Sequence, residues 1–383
     1  MPAFRLVPLA LLIALLLSPA VWACPFCTAL QPTLSQQRDE AAIAVLAECQ
    51  QGPPQDFRFR LLQTLHGKQS LGGKETLELA VQSFAESPDA SLKAGSLTLL
   101  LATRASGDNA EFRWKAIPLN ETSYAYVARA PSTRRAAGER LPFFLRYLEH
   151  PDPLLAEDAY QEFGHARFDE VAEIAEQMPL ASFRKWLVDR QTPQQRKGFY
   201  GVALGLAPGD RARRENAEFL RKLILQPASD FRAGFDGLLG GYLLCGGEEA
   251  LELIERRYLS DPEAPAGDVR HAMTALRFYH EYGRDISSER LAEALQHLLS
   301  RRQFAAAAIV DLARWQAWGA TAAVTELSHS DELQDLPTRR AIIGFLLLSP
   351  TDSARRESSR LRRLYPAEMA EAEKKLNLLG GAR

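Results

Sequence analysis

From about Asp39 to Arg129, apolar and polar residues alternate with a period of two, the pattern of half-buried strands. The clearest example is Phe57-Arg58-Phe59-Arg60, in which each phenylalanine is followed by an arginine. Clusters of Gly, Pro, Ser and Asp separate the runs, so the segment predicts five or six short antiparallel strands. Five strands in so short a segment fit an OB-like barrel best. The predicted strands cover residues 42–47, 57–62, 76–81, 96–101, 112–117 and 124–127.

After Pro131 the period lengthens to that of amphipathic helices. An apolar stripe over 141–148 comes first, and Asp152-Pro153 begins the next helix, because Asp caps a helix and Pro suits its first turn. The linkers are short, so neighbouring helices are expected to pack antiparallel. The predicted helices cover 141–148, 154–166, 168–178, 180–189, 193–206, 210–225, 230–244, 247–259, 267–282, 287–300, 302–314, 316–328, 336–348, 351–364 and 366–379.

Taken in pairs, these helices form units of roughly 30–40 residues, the size range of helical solenoid repeats. Residues 151–160 resemble the first helix of a HEAT repeat. We therefore predict an α+β, mainly α protein. A small OB-like β-domain covers residues 24–130, and a HEAT-like or Armadillo-like α-solenoid covers residues 131–383. An irregular all-α bundle is the alternative for the second part.

Residues 1–23 have the pattern of a signal peptide. Arg5 precedes an apolar run over 6–17, and Val21-Trp22-Ala23 suits signal peptidase. The run is too short to span a bilayer, which takes about 20 residues. We expect a protein exported to the periplasm or the extracellular space, with a mature chain that begins at or next to Cys24.

Composition narrows the classes of partner. The 383 residues carry 46 Lys and Arg against 48 Asp and Glu, for a formal net charge of −2. This balance gives no electrostatic reason to expect nucleic acid or an acidic membrane surface as a partner. Beyond the signal peptide, the chain has no apolar run of membrane-spanning length.

The one motif with redox chemistry is Cys24-Pro25-Phe26-Cys27. A CxxC pair in an oxidising compartment is typical of thiol–disulfide proteins, but no strand precedes it in the mature chain, as a thioredoxin fold requires. Two structural alternatives are open: a disulfide from Cys24 or Cys27 to Cys49, or lipidation of Cys24, which would anchor the protein to a membrane. Thr28 stands where a c-type haem site needs histidine, and we expect neither a metal nor a cofactor.

The remaining candidates favour packing over catalysis. The seven histidines do not form a zinc-protease pattern, and neither a nucleophile elbow nor a phosphate loop occurs. A polar and aromatic group formed by Asp311, Arg314, Trp315 and Trp318 is expected to pack between helices. Arg146, Tyr147, Trp315 and Trp318 are residues that could line an exposed binding face, and none of them is assigned as a site.

The combination of signal peptide, CPFC, small β-region and helical half resembles a group of uncharacterised exported bacterial proteins with HEAT-like repeats. Residues 143–151 and Asp311-Leu312-Ala313-Arg314-Trp315 carry the resemblance in the helical half. It implies no activity and no functional residue. From the array and its expected concave face, we predict a non-enzymatic protein-interaction or scaffold protein of the cell envelope with a protein or peptide partner. The alternative is a thiol–disulfide redox protein that uses Cys24 and Cys27.

Overall fold

The protein is mainly helical, with an antiparallel β-sheet near its N-terminus. The computed structural model describes residues 30–52, 56–104, 111–227, 232–330 and 335–380. The chain divides into two compact units, Met1–Met178 and Pro179–Arg383. The change of period at Pro131 lies inside the first unit, and the domain boundary expected there stays a prediction that proteolysis can test.

The sheet of the first unit has the strand order β3-β2-β1-β4-β5, with every neighbouring pair antiparallel. Beyond the end of β3, Phe84 forms a parallel bridge with Trp114 of β5, and the backbone N–H of Ala85 donates to the carbonyl of Trp114 at 2.8 Å. The chain that follows one edge strand therefore meets the other edge strand. The strands are β1 Ile43–Gln51, β2 Phe57–His66, β3 Thr76–Leu79, β4 Leu97–Arg104 and β5 Phe112–Leu119.

The alternating pattern of β2 is realised as predicted. Phe57 and Phe59 are buried in the sheet's core, and their rings stack with centroids 5.8 Å apart. Arg58 and Arg60 point to the other face, where Arg58 pairs with Glu78 of β3 at 2.6 Å. Burial of one face and charge on the other determine the register, because a slip by one residue would reverse them.

Five α-helices lie in the described part of the first unit. They are α1 Leu34–Glu40, α2 Glu121–Arg129, α3 Ala137–Phe144, α4 Pro153–His165 and α5 Phe168–Ala172. Helix α4 begins as predicted: the Asp152 carboxylate accepts a hydrogen bond from the backbone N–H of Leu154 at 3.0 Å, and Pro153 is the first helical residue.

The strand predicted at 124–127 is wrong, because these residues lie in α2. Asn120 caps this helix: its Oδ1 accepts from the backbone N–H of Ser123 at 2.8 Å, while the backbone N–H of Asn120 donates to Oγ of Ser123 at 2.9 Å. Ser123, Tyr126 and Val127 are the buried residues of the helix, at a spacing of three and four. The capping box and this stripe favour a helix, and they outweigh the apparent alternation of residues that predicted a strand.

The helices of the second unit lie within a few residues of the predicted segments. They are α6 Leu180–Val188, α7 Gln194–Gly205, α8 Asp210–Ile224, α9 Phe235–Ile254, α10 Ala266–Tyr282, α11 Ser288–Gln296, α12 Arg302–Arg314, α13 Thr321–Leu327, α14 Leu336–Leu348, α15 Asp352–Leu364 and α16 Pro366–Gly380. Helix α9 is interrupted at Gly247, where φ is 55°, close to the predicted break. Across the described ranges, no helix combines the length and apolar character that crossing a membrane requires.

Helices α7 and α9 approach each other backbone to backbone along a seam of glycines. A Cβ placed on Gly241 would lie 1.9 Å from the carbonyl oxygen of Gly201, and one on Gly237 would lie 2.2 Å from that of Gly198. Both distances are far inside van der Waals contact, so only glycine permits this separation of the two helices. The seam therefore places the backbones of α7 and α9 in direct contact.

Candidate functional site

Cys24 and Cys27 lie outside the described residues, but the chain that follows them is anchored on α4. The backbone N–H of Gln31 donates to Oε1 of Gln161 at 3.0 Å, and Nε2 of His165 lies 2.9 Å from the carbonyl oxygen of Gln31. The backbone N–H of Leu34 donates to Oδ1 of Asp158 at 2.6 Å. Three side chains of one helix therefore hold the segment that leads out of the CPFC motif.

Asp158 is the centre of this anchor. Its Oδ2 accepts a hydrogen bond from the Tyr126 hydroxyl at 2.6 Å. Burial raises the pKa of Asp158 to about 7, although the hydrogen bonds from Leu34 and Tyr126 favour its charged form. Burial, together with the adjacent carboxylate, also raises the pKa of Tyr126. These enclosed groups position the N-terminal segment.

Cys49, the predicted disulfide partner of Cys24 or Cys27, is buried in β1. It forms no disulfide with another described residue, and its Sγ lies 3.3 Å from the carbonyl oxygen of Gln51. Burial raises the pKa of the Cys49 thiol, which lowers its reactivity as a nucleophile. The predicted bridge to Cys24 or Cys27 involves partners outside the described residues and stays a prediction.

The predicted aromatic candidates pack against neighbouring rings. Trp315 stacks on the imidazole of His280 with centroids 4.4 Å apart and planes 5° apart. Trp318 meets Phe345 edge to face at 5.3 Å. In the first unit, Tyr147 meets Tyr126 edge to face at 4.7 Å. These contacts agree with the packing interpretation of the tryptophans.

The best candidate for a binding site is a groove beside the predicted Asp311–Arg314 pair. It lies along α12 and α14 as an open, shallow depression of about 490 Å³. Its floor consists of small or apolar side chains, and Val310 is 39 % exposed there. The floor includes Ala307, Val310, Pro337 and Ala341.

Three arginines border the groove: Arg277 from α10, Arg314 from α12 and Arg340 from α14. The carboxylate of Asp311, whose side chain is 2 % exposed, lies between the first two. Arg277 is held by this carboxylate at 2.7 Å, whereas Arg314 is 3.9 Å from it and 72 % exposed. The lining of the groove holds three guanidinium groups and one carboxylate, and Arg340 also contacts Glu371 outside it, so the groove carries a net positive charge. We refer to it below as the arginine groove.

The groove continues on the other side of Arg340. There, a second depression of about 180 Å³ lies between α14 and α16. Gly344 lies in it with no atom within 4 Å of the position that a Cβ would take. Arg340 contacts Glu371 of α16 at 3.2 Å in this second depression. Arg340 is therefore accessible from two adjoining depressions on the same surface.

From the sequence, Asp311 and Arg314 are expected as a packing pair between helices, and no expectation there marks Arg277, Arg340 or Val310 as lining a groove. For Val310 alone a local signal was present in α12: Phe304 and Ile309 are buried, while Val310 is an apolar residue that stays exposed. An apolar residue on the polar face of a helix adds apolar surface that another molecule can cover.

A scan against protein-family models finds no match for this chain, and a search of curated proteins finds none either.

Proposed function

We propose that this chain is an exported, non-enzymatic protein-interaction or scaffold protein of the cell envelope, and that the arginine groove is its binding face. The observation that carries the proposal is an exposed apolar floor between two helices, bordered by arginines from three helices. Arginine-bordered apolar surfaces of this kind are typical of protein interfaces, in which arginine is enriched and lysine depleted.

The contacts between alternate helices support a HEAT-like or Armadillo-like array in the second unit. Helix α12 contacts α14, and α14 contacts α16, while α13 contacts α15. Arg277 of α10 reaches Asp311 of α12 and extends the first of these two rows. Two rows of alternating helices are the arrangement of α-solenoids, in which one row lines an extended binding surface.

We also propose an OB-like barrel for the sheet. The strand order β3-β2-β1-β4-β5, together with the parallel bridge from Phe84 to Trp114, corresponds to a five-stranded barrel in which β3 and β5 approach each other. In this proposal the small barrel stands between the exported N-terminus and the helical part.

Site-specific photo-crosslinking tests the proposed binding face. A photoreactive amino acid at position 310 is expected to capture a distinct envelope protein in intact cells. The matched control is position 364 on α15, where the native leucine is 54 % exposed. Identical capture patterns at both positions would contradict the proposal, as would catalytic turnover on a substrate panel. Fractionation and N-terminal mass spectrometry of the same cells test export and a mature chain that begins at Cys24.

The second candidate is a thiol–disulfide redox protein that uses Cys24 and Cys27. The CxxC spacing of these two cysteines favours it, and the chain four residues after Cys27 is held at Gln31, where the imidazole of His165 contacts the backbone. A redox titration followed by mass spectrometry separates the candidates. A reversible 24–27 disulfide with a potential above roughly −230 mV favours redox chemistry, whereas a stable bridge to Cys49 or a lipid on Cys24 excludes it.

A further inference from the structure

We infer that the arginine groove binds an acidic segment of another protein, whose carboxylates engage Arg314 and Arg340 while its small apolar side chains lie on the floor between them. This inference rests on the proposed function and adds to it the chemistry of the partner.

The shape of the groove favours a polypeptide. Ala307 and Ala341, on neighbouring helices, leave the floor shallow, and Pro337 and Val310 add apolar area. Small side chains allow the backbone of a ligand to approach closely. A helix or an extended segment with alanine, valine or leucine on one side fits such a floor, as in other cases where an apolar groove receives a peptide.

The charges of the groove determine which sign of charge a bound polypeptide must carry. Arg277 is already bound to the buried carboxylate of Asp311 and therefore helps to form the wall. Arg314 is 3.9 Å from the same carboxylate and largely exposed, so its guanidinium can bind a second carboxylate. Arg340 contacts the exposed Glu371, and a surface pair of this kind exchanges partners at little cost.

Nucleic acid is the other polyanion that two arginines could bind, but the groove suits it less. Nucleic-acid grooves combine a continuous row of cations with aromatic side chains on which bases stack. Here the side chains between the arginines are aliphatic, so among the described residues the groove offers no aromatic ring on which a base could stack. An oligonucleotide is therefore a competitor in the test.

Selection from a displayed library of random peptides on the full mature protein provides the first measurement. We expect the selected peptides to be enriched in Asp and Glu interspersed with small apolar residues. The best binder is then labelled with a fluorophore and titrated by anisotropy. Replacing its acidic residues by their amides should weaken binding about tenfold, the sum of two exposed ion pairs.

The R314Q/R340Q variant should weaken binding of that peptide by a similar factor. The matched control is R356Q/R363Q, which removes two exposed arginines from α15 and should leave the affinity unchanged. Neither R314Q nor R340Q removes the main partner of a buried charge, so both variants are expected to fold, which circular dichroism can verify. The charge-reversed R314E/R340E variant should select basic peptides in place of acidic ones.

Several results would overturn the inference: no peptide selected, neutral or basic peptides selected, equal loss in the control variant, or tighter binding of a single-stranded oligonucleotide. Sedimentation that shows self-association through the same residues would assign the groove to a second copy of the chain and also overturn it. If position 310 still captures an envelope protein in these cases, the proposed function stands without this inference. If it captures none, both fail.

Discussion

Arg277 contacts the carboxylate of Asp311 with two nitrogens: Nε lies 2.8 Å and Nη2 lies 2.7 Å from Oδ2. The Asp311 side chain is 2 % exposed and that of Arg277 is 41 % exposed, so the arginine shields an otherwise buried charge. Removal of one partner of such a pair leaves the other charge buried and uncompensated. Arg277→Met should therefore lower the free energy of unfolding by about 2 kcal/mol, the range of a hydrogen bond to a charged group. Urea denaturation measures this change.

The double variant R277M/D311L separates the effect of an uncompensated buried charge on stability from the effect of lost packing. It should regain much of the stability that R277M loses, because no buried charge remains. R314Q is the matched control and should change stability by less than about 1 kcal/mol, as its guanidinium is exposed and 3.9 Å from Asp311. A double variant no more stable than R277M would contradict this account.

The glycine seam predicts a large effect of one methyl group. Gly241→Ala places a Cβ 1.9 Å from the carbonyl oxygen of Gly201, so α7 and α9 must separate. Overpacking of this kind typically costs about 1–3 kcal/mol and occasionally more. Gly344→Ala in α14 is the matched control: its Cβ meets nothing within 4 Å, and alanine should stabilise the helix by up to about 1 kcal/mol. Thermal denaturation followed by circular dichroism compares the two, and equal melting temperatures would refute the seam.

Asp158 should make the stability of the protein fall as the pH rises. Its pKa is raised by burial to about 7 in the folded protein, against about 3.9 in an unfolded chain. Between these values the folded state holds a proton that the unfolded state releases. The contribution of Asp158 to stability is thus fully present below about pH 4 and is lost as the pH rises through 7.

Asp158→Asn keeps an acceptor for the backbone N–H of Leu34 and removes the titration. From about pH 4 to pH 8, the variant should gain stability relative to the native protein, by an amount on the order of a few kcal/mol. Urea denaturation at a series of pH values measures the difference. Asp169→Asn, at a 59 % exposed side chain in a surface ion pair, is the control and should change stability by less than about 1 kcal/mol. A difference for D158N that does not change with pH would contradict the prediction.

The buried cysteines predict a labelling pattern. Burial raises the pKa of Cys245 to about 12 and also raises that of Cys49, so iodoacetamide should label neither in the native protein at neutral pH. After denaturation without reductant, Cys245 should be labelled at once. Labelling of Cys49 under the same conditions would exclude the disulfide to Cys24 or Cys27, and labelling that requires a reductant would support it. Mass spectrometry of peptides identifies each site.

The two compact units predict how fragments behave. Pro179–Arg383 has its own buried core and the complete arginine groove. Expressed alone, this fragment should give a helical circular dichroism spectrum and a cooperative thermal transition. A fragment of residues 139–383 tests the boundary predicted from the sequence. It contains the whole second unit but lacks Tyr126, the hydrogen-bond partner of Asp158, so residues 139–178 of this fragment should unfold before the second unit does.

Local patterns predicted most elements because the physical cause of each is local. The alternation in β2 specifies a buried and a charged face, and Asp152-Pro153 specifies the start of α4. Where two local signals competed, at 124–127, the apparent alternation was the misleading one. The cap formed by Asn120 and Ser123 can be predicted from the sequence. The same is true of the Thr33 capping box of α1, a helix that the alternation pattern did not predict.

Only some contacts of the candidate site can be predicted from the sequence. Asp311 and Arg314 lie three residues apart on one helix, so their proximity follows from helical spacing. Arg277 and Arg340 come from other helices, and their approach depends on how α10 and α14 pack beside α12. No local pattern encodes this distance.

The sequence by itself determined where helices and strands form, because capping, periodicity and side-chain shape act over a few residues. Only the tertiary structure decided which of these residues meet. It placed Gly201 against Gly241, buried Asp158 beside Tyr126 and brought three arginines to one groove. Such relationships arise from the packing of elements distant in the chain, where close approach, desolvation and charge pairing act across space.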